Sequence, residues 1–297
     1  MSNVLVDLSN AMVAAADKAG ASTVQVNARR RMAASGIVYA ADLILTADHV
    51  VEQEEGITVT LEDGSVLGAK LAGRDPGSDL ALLRLERLSG KPAEISAGAK
   101  IGQLVLALGR PSNGGIEASL GVVSAVDGPV RTPRGMIERY IRTDTTPYPG
   151  FSGGPLVDAE GRVVGLNTSG FGYGAALTIP ADLAWSIAAQ LEKHGSVQRG
   201  YLGIRSQSVE ISETAQKALK REQAAGLVVI SVESGSPAEA SGMMVGDIVV
   251  GIESHPIQDH DELFAHLSGD AVGKSIGVEI LRGGKPETLK VKVGVRA

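Results

Sequence analysis

TDTTPYPGFSGGPLV, residues 143–157, is the stretch that restricts the fold and chemistry of this chain most strongly. In it Ser152 stands among glycines, on a turn that leads into a short apolar run. Neighbouring backbone N–H groups on such a turn can bind a negatively charged oxygen, which makes this serine a candidate nucleophile. The same pattern also occurs in ordinary loops, so the rest of the sequence has to supply the partners that a serine nucleophile needs.

Two upstream segments contain candidate partners. ILTADHVV (44–51) places His49 just after an apolar strand, and RDPGSDLALLRL (74–85) places Asp79 at the start of another. No other histidine precedes residue 194. Each residue also has a plain structural interpretation, since histidines often end strands and aspartates often form turns. The combination of the three segments favours catalysis.

A serine hydroxyl is a poor nucleophile near neutral pH unless a base removes its proton as it attacks. A neutral imidazole can take that proton, and a carboxylate on its other nitrogen fixes the tautomer and stabilises the imidazolium. The order His, Asp, Ser along the chain is the chymotrypsin-type order. The N–H groups of Gly150 and Ser152 could form an oxyanion hole. Gly153 and Gly154 would leave room for a substrate strand.

The rest of the pattern predicts a mainly β architecture. Residues 23–178 contain short apolar strands separated by glycine-containing turns, with no long helix between them. This indicates an antiparallel sandwich or a pair of barrels rather than a parallel α/β sheet. After Pro180, the apolar residues Leu183, Ile187 and Leu191 recur at helical spacing and predict a helix.

Four regions follow from these patterns. Residues 1–22 predict an N-terminal helical segment, 23–191 the β-rich domain, 192–200 a linker, and 201–297 a small α+β domain. Within the last region, a helix over about 259–267 begins with a capping pair formed by an aspartate and a glutamate.

Composition excludes several classes of chemistry. The 297 residues include no cysteine, so the chain has no thiol nucleophile, disulfide or thiolate zinc site. The net charge of −6 argues against a general nucleic-acid surface. His255, His260 and His266 lack the spacing of a metal site and are interpreted as solvated helix surface. We therefore expect no metal and no cofactor.

Targeting signals are not evident in the sequence. No run of about 20 apolar residues predicts a membrane span. The first residues, MSNVLVDLSNAMVAAADKAG, lack the basic start and continuous apolar run of a signal peptide. The expected location is the cytoplasm, or the periplasm or exterior for a mature form that has lost a targeting segment.

Taken together, the three segments resemble the HtrA/Deg family of chymotrypsin-fold serine proteases. The family motifs Thr-x-x-His-Val, Asp-x-x-x-Asp-Leu-Ala and Gly-x-Ser-Gly-Gly-Pro-Leu occur here as TADHVV, DPGSDLALL and GFSGGPLV. The resemblance implies a double six-stranded antiparallel β-barrel followed by a PDZ domain. It also implies Ser152 as nucleophile, His49 as general base and acid, and Asp79 as the residue that orients the histidine. The N–H groups of Gly150 and Ser152 would be the oxyanion donors.

Beyond the linker, YLGI (201–204) resembles the carboxylate-binding loop of PDZ domains. SPAEASGMMVGDIVVGIESHPI (236–257) resembles the body of that domain in HtrA proteases. The resemblance implies that peptide C-termini bind at Tyr201, Leu202, Gly203 and Ile204, with the N–H groups of the last three holding the carboxylate. The peptide would add as a strand, with helix 259–267 as the other wall of the groove.

Two features leave alternatives open. Leu263, Phe264 and Leu267 would line this groove or simply pack in the core. DGPVRTPRGMIER (127–139) resembles a family loop that relays peptide occupancy to the active site, in which case a bound peptide would raise proteolysis several-fold. Otherwise it is an ordinary basic surface loop.

The segment before the serine bears on specificity. A trypsin-like protease would need an acidic residue about six positions upstream, but this chain has Thr146 there, between Thr145 and Pro147. GLNTSGFG (165–172) resembles the segment that lines the family's specificity pocket. We therefore expect cleavage after small or medium apolar residues.

The expected function is that of a serine endopeptidase hydrolysing unfolded or misfolded proteins in quality control or stress response, with the PDZ domain recruiting substrate or regulating activity. The resemblance also implies a homotrimer, since family members commonly trimerise through N-terminal aromatic residues; the first aromatic residue here is Tyr39. One alternative is a non-catalytic scaffold or holdase chaperone. Another is a processing protease that cuts a single partner.

Overall fold

The computed structural model describes residues 3–30, 32–87, 90–112, 114–132, 135–170, 177–267 and 271–296. The chain divides into two compact units, Met1–Val197 and Gln198–Ala297. The last helix of the first unit is α2 (Ala181–His194). The two units divide between this helix and the first strand of the second unit.

The first unit begins with helix α1 and a closed antiparallel barrel. The helix is Val4–Gly20, and the strands are β1 (Thr23–Asn27), β2 (Ala34–Ala40), β3 (Leu43–Ala47), β4 (Thr58–Thr60), β5 (Val66–Asp75) and β6 (Leu80–Leu85). They pair in the order β1-β2-β3-β6-β5-β4. All of β3 is buried, because it is covered on both faces, and this explains its continuous apolar sequence.

A second closed barrel follows in the same unit. Its segments are β7 (Leu104–Ser112), β8 (Gly115–Asp127), β9 (Val130–Thr132), β10 (Gly135–Ile137), β11 (Tyr140–Thr143), β12 (Pro155–Val157), β13 (Val163–Thr168) and β14 (Leu177–Pro180). Strands β9 and β10 form a separate hairpin, and the others close in the order β11-β14-β13-β12-β7-β8. The hairpin occupies the basic segment 127–139, of which residues 133 and 134 lie outside the described part.

The two helices of this unit pack on the barrels through small and branched side chains. Helix α1 buries Met12, Ala15 and Ala19, while α2 buries Ile187 and Leu191 among others. The buried side chains of both helices belong to one hydrophobic core, which also includes residues of the first barrel. Helix α2 ends where Gly195 adopts a left-handed conformation, with φ of 74°.

The second unit is a small α+β fold. Its strands are β15 (Arg199–Tyr201), β16 (Ile204–Glu210), β17 (Ala225–Val232), β18 (Ile248–Ile252), β19 (His255–Pro256), β20 (Ser275–Arg282), β21 (Lys285–Lys292) and β22 (Gly294–Arg296). Its helices are α3 (Glu213–Leu219), α4 (Pro237–Ala240) and α5 (His260–Leu267). The main sheet has the order β16-β17-β18-β20-β21, so β16 is an edge strand within the described residues.

These observations confirm the predicted fold class of two six-stranded antiparallel barrels followed by a small α+β unit. The capping pair of α5 is also present, since Glu262 N–H donates to Asp259 Oδ1 at 2.8 Å. Helix α3 was not predicted; it begins at a Ser212 cap whose side chain accepts from Ala215 N–H. None of the helices in the described ranges has the length and apolar character needed to cross a membrane.

Candidate active site

His49 lies on a short 3-10 turn, Asp48–Val50, directly after β3. Asp48 fixes this turn from both sides. Its carboxylate accepts from Arg74 Nε at 2.6 Å, and its N–H donates to the carbonyl of Asp79 at 2.9 Å. The turn therefore places the imidazole beside the start of β6, where Asp79 stands.

Asp79 binds the histidine through both carboxylate oxygens. Its side chain is 0% exposed, and Oδ1 accepts the backbone N–H of His49 at 2.9 Å. Oδ2 lies 2.8 Å from Nδ1 of the same residue and also accepts the hydroxyl of Thr168. Because a carboxylate accepts hydrogen bonds, it places the imidazole proton on Nδ1 and leaves Nε2 as the acceptor.

Ser152 lies on the loop between β11 and β12 and lines the same pocket as His49. Its hydroxyl is 3.0 Å from that of Ser169, with which it forms a hydrogen bond. The fold therefore brings together all three residues that the sequence analysis singled out. Within the described residues, the partner of the Ser152 hydroxyl in this structure is Ser169 rather than His49.

The loop around Ser152 is fixed by hydrogen bonds from the first barrel. Ser35 N–H donates to the carbonyl of Ser152 at 3.1 Å, and Ser35 Oγ donates to the carbonyl of Gly150 at 2.7 Å. Among the described residues, the N–H groups of Gly150 and Ser152 donate to no protein acceptor. Both residues line the pocket, so these two N–H groups are available to a bound oxygen.

The glycine after the serine has a role that differs from the sequence-based expectation. A Cβ added to Gly153 would lie 2.1 Å from the carbonyl oxygen of Ser35. Gly153 N–H donates to the carbonyl of Asn167 at 2.8 Å. The absence of a side chain is thus required by the close approach of the first barrel, whereas the sequence pattern predicts that Gly153 leaves room for a substrate strand.

The pocket has a volume of about 270 Å³. Its lining consists of Arg29, Met32, His49, Ala107, Thr145, Pro147, Tyr148, Pro149, Gly150, Phe151, Ser152, Asn167, Thr168 and Ser169. Thr145 and Pro147 lie in the wall, whereas Thr146 is not among the described lining residues. These residues include no carboxylate, and the cation Arg29 is present. Residues 171 and 172 of the predicted pocket segment lie outside the described part.

Three hydrogen-bonding residues of the site were not predicted from the sequence. Thr168 binds the Asp79 carboxylate, Ser169 binds Ser152, and Ser35 holds the serine loop. Thr168 and Ser169 belong to GLNTSGFG, the segment predicted to line the pocket. Their position near Asp79 and Ser152 could therefore have been predicted from the sequence. Ser35 carries no comparable signal in the sequence.

The second unit contains the other predicted site. Gly203 has a left-handed φ of +83°, and a Cβ there would lie 2.1 Å from Cβ of Ser236. The N–H groups of Leu202 and Gly203 donate to no acceptor within the described residues. Tyr201 donates its hydroxyl to Glu233. Ile204 starts edge strand β16, so the predicted loop leads directly into an edge that an added strand could pair with.

Helix α5 lies beside this strand. His260 Nε2 is 3.1 Å from both the hydroxyl and the carbonyl oxygen of Ser206. Leu263 and Leu267 are buried in the core of the unit, whereas Phe264 is 50% exposed. His255 and His266 stack at 4.7 Å. No cluster of three potential metal ligands was found in the described ranges.

Two parts of the chain match known protein families. Residues 34–166 match the family described as trypsin-like peptidase domain, and residues 200–293 match the PDZ domain. The first range contains His49, Asp79 and Ser152. The second contains the loop at 201–204.

Curated relatives include the probable periplasmic serine endoprotease DegP-like of Pseudomonas putida strain GB-1. It is 36% identical over 271 residues, which cover 88% of this chain and 55% of the relative. The probable periplasmic serine protease do/HhoA-like of Haemophilus influenzae is 34% identical over 270 residues, covering 87% of this chain and 57% of the relative. The chain thus spans about half the length of the curated relatives it matches.

Solved structures match over nearly the whole chain. The HtrA-type protease AlgW with decapeptide has a TM-score of 0.80 at 27% identity, covering 96% of this chain and 99% of that one. The serine endoprotease from Yersinia pestis has a TM-score of 0.77 at 29% identity, covering 96% and 98%.

Proposed function

The chain belongs to the HtrA/Deg family of serine proteases, and from this we propose that it is a serine endopeptidase acting through Ser152, His49 and Asp79. The observation that carries the proposal is the hydrogen bond of 2.8 Å between His49 Nδ1 and the buried Asp79 carboxylate. It lies at a pocket that Ser152 and Gly150 also line.

In the proposed reaction, the Ser152 hydroxyl turns from Ser169 towards Nε2 of His49. Nε2 takes the hydroxyl proton as Oγ attacks the scissile carbonyl, and the Asp79 carboxylate stabilises the imidazolium that forms. The carbonyl oxygen becomes an oxyanion that accepts from the N–H groups of Gly150 and Ser152. His49 then gives its proton to the leaving amine as the C–N bond breaks. Water hydrolyses the acyl-enzyme by the same steps in reverse order.

We propose unfolded or misfolded polypeptides as substrates, in quality control or stress response. A protease of this fold takes its substrate as an extended strand beside the nucleophile, and folded proteins seldom offer an unpaired strand at their surface. The narrower alternative, cleavage of a single partner, uses the same chemistry and differs only in which segments are recognised.

Cleavage of short peptides tests this function and its specificity together. Two fluorogenic peptides would be identical except for valine or arginine on the amino side of the scissile bond. We expect kcat/KM to be about 10²–10⁴-fold higher for the valine peptide, because a cation in a pocket without a carboxylate costs about 3–5 kcal/mol. Arg29 in the wall adds repulsion.

The Arg29→Ala variant serves as the matched control for this measurement. It should raise kcat/KM for the arginine peptide several-fold and leave that for the valine peptide nearly unchanged. Preference of the unsubstituted protein for arginine would overturn the proposed pocket, and cleavage of neither peptide would contradict the proposed activity.

For the second unit, we propose that residues 201–204 bind a peptide C-terminus, recruiting substrate or regulating the protease. Among the residues that the structure describes, the N–H groups of Leu202 and Gly203 have no acceptor and β16 lies at the edge of its sheet, and both observations support this. The N–H groups would hold the peptide's carboxylate, and the edge strand would pair with the peptide residues that precede that carboxylate.

Peptides that differ only at the C-terminus test this binding site. A peptide ending in valine should bind at least about tenfold more tightly with a free carboxylate than with an amide, because charged hydrogen bonds contribute about 1.5–3 kcal/mol. Fluorescence anisotropy measures both affinities. Gly203→Ala should abolish the difference by clashing with Ser236, whereas Gly277→Ala, whose nearest new contact is 3.4 Å, should preserve it. Equal affinity for the two peptides would refute the proposed site.

The homotrimer that the resemblance implies is also retained as a proposal. Helix α1 leaves Val4, Leu5 and Val13 more than half exposed, at 77%, 74% and 57%. Burial of such residues against other copies would be favourable.

A further inference from the structure

Phe151 lies between the two proposed oxyanion donors, Gly150 and Ser152, and buries its ring in the second barrel. We infer that this ring, together with the missing side chain of Gly109 on β7, positions the two N–H groups for catalysis. Phe151 and Gly109 are then a positioning pair. The inference rests on the proposed function and concerns how the same site keeps its shape.

The ring is anchored in the apolar interior of the barrel. Only 2% of Phe151 is exposed. It belongs to a cluster that also contains Val105, Ala107, Val123, Ile141, Leu156 and Val164. The ring of Tyr148, in the pocket wall, meets it edge-on with centroids 5.4 Å apart. A phenylalanine in such a place holds its own backbone firmly, because removing its ring from the core is strongly destabilising.

Gly109 supplies the space that the ring needs. A Cβ added at this position would lie 2.5 Å from Cδ1 and 3.0 Å from Cε1 of Phe151. The approach to Cδ1 cannot occur without a shift, and the approach to Cε1 is tighter than most side-chain contacts. Both atoms belong to a rigid ring rather than to the flexible end of a side chain. Any side chain at position 109 therefore pushes the ring, and with it the backbone of residue 151.

A shift of this backbone would reach both donors, because the loop is tightly connected. Phe151 N–H donates to the carbonyl of Tyr148 at 3.1 Å, and its own carbonyl accepts from Gly154 N–H at 2.9 Å. Ser152 N–H belongs to the peptide unit that follows Phe151. Gly150 N–H belongs to the Pro149–Gly150 unit, which is separated from Phe151 by the unit that joins Gly150 to Phe151. Movement of the ring thus rotates the peptide unit that carries the Ser152 N–H directly, and it shifts the Gly150 N–H through the intervening peptide unit.

The test is a double-mutant cycle on the full chain, assayed with the valine peptide. Gly109→Ala should lower kcat about 10–100-fold, because complete loss of one oxyanion donor costs about 10²–10³-fold and a displaced donor costs part of that. KM should change by less than about twofold. Adding Phe151→Leu to Gly109→Ala removes about the volume that the methyl group adds. The double variant should therefore return to within about threefold of Phe151→Leu alone.

A transition-state analogue separates positioning from simple loss of stability. With a peptide boronic acid, Ser152 Oγ bonds to boron, the hydroxyl proton passes to His49, and a boron hydroxyl occupies the oxyanion position. Gly109→Ala should weaken binding of the boronic acid by the same factor as it lowers kcat. Rates are normalised to the concentration of active sites. Gly20→Ala, whose nearest new contact is 3.9 Å, should change neither quantity.

Three outcomes would overturn the inference. These are an unchanged kcat in Gly109→Ala, unchanged boronate affinity alongside a reduced kcat, or a double variant whose losses are the product of the single ones. Should Gly109→Ala fail to fold, Phe151→Leu alone must still lower kcat more than it changes KM. In each case the unsubstituted chain still cleaves peptides, whereas failure of the proposed function would leave no activity to compare.

Discussion

Replacing Ser152 by alanine is expected to lower the turnover of casein and of the valine peptide by about 10⁴–10⁶-fold. The substitution removes the attacking oxygen, so His49 has no hydroxyl to deprotonate and the acyl-enzyme cannot form. Initial rates measure the loss. A fluorophosphonate probe, which bonds to an activated serine oxygen, should label the unsubstituted protein at Ser152 and leave the alanine variant unlabelled.

Ser169→Ala is the matched control, because its hydroxyl lies 3.0 Å from that of Ser152 in the same pocket. It should still be labelled at Ser152 and lose less than about tenfold in rate. If the large loss and the loss of labelling followed Ser169 instead, the nucleophile would be wrongly assigned. Equal activity of Ser152→Ala and the unsubstituted protein would favour the non-catalytic scaffold.

Much of this fold was predictable because its signals are local. LILTA is mainly apolar and forms the wholly buried strand β3. The glycine-containing turns separate strands with no long helix between them, which argues against a parallel α/β sheet. The family resemblance was carried by short motifs around His49, Asp79 and Ser152, and the family matches confirm it. The catalytic roles of these residues stay predictions.

The hydrogen bonds that hold the site were not predictable in the same way. Ser35 reaches the carbonyl of Gly150, far along the chain, only after the two barrels have closed and packed together. The structural reason for Gly153 is equally hidden in the sequence, since only the folded chain brings the Ser35 carbonyl within 2.1 Å of where a Cβ would be. Local sequence indicates which residues can react, whereas their supports depend on tertiary contacts.

The Asp79→Asn variant is expected to lose about 10⁴-fold in kcat while keeping the fold, because the effect acts through the tautomer of His49. Oδ1 is already committed to the backbone N–H of His49 at 2.9 Å. The amide nitrogen must therefore take the place of Oδ2, which lies 2.8 Å from Nδ1. There it donates, so Nδ1 becomes the acceptor and the proton moves to Nε2. A protonated Nε2 cannot take the proton of Ser152.

The hydroxyl of Thr168 favours the same orientation of the asparagine amide. It donates to Oδ2 now, but a hydroxyl can also accept, so it can turn to receive one amide hydrogen while the other points at Nδ1. The asparagine is thereby held in the catalytically wrong orientation with both amide hydrogens paired. Asp63→Asn, an exposed turn carboxylate bonded to Ser65 N–H at 2.9 Å, should keep full activity. A melting temperature near that of the unsubstituted protein, together with lost turnover, would assign Asp79 to tautomer control. Retention of turnover would mean that His49 does not need this carboxylate, and the proposed triad would fail.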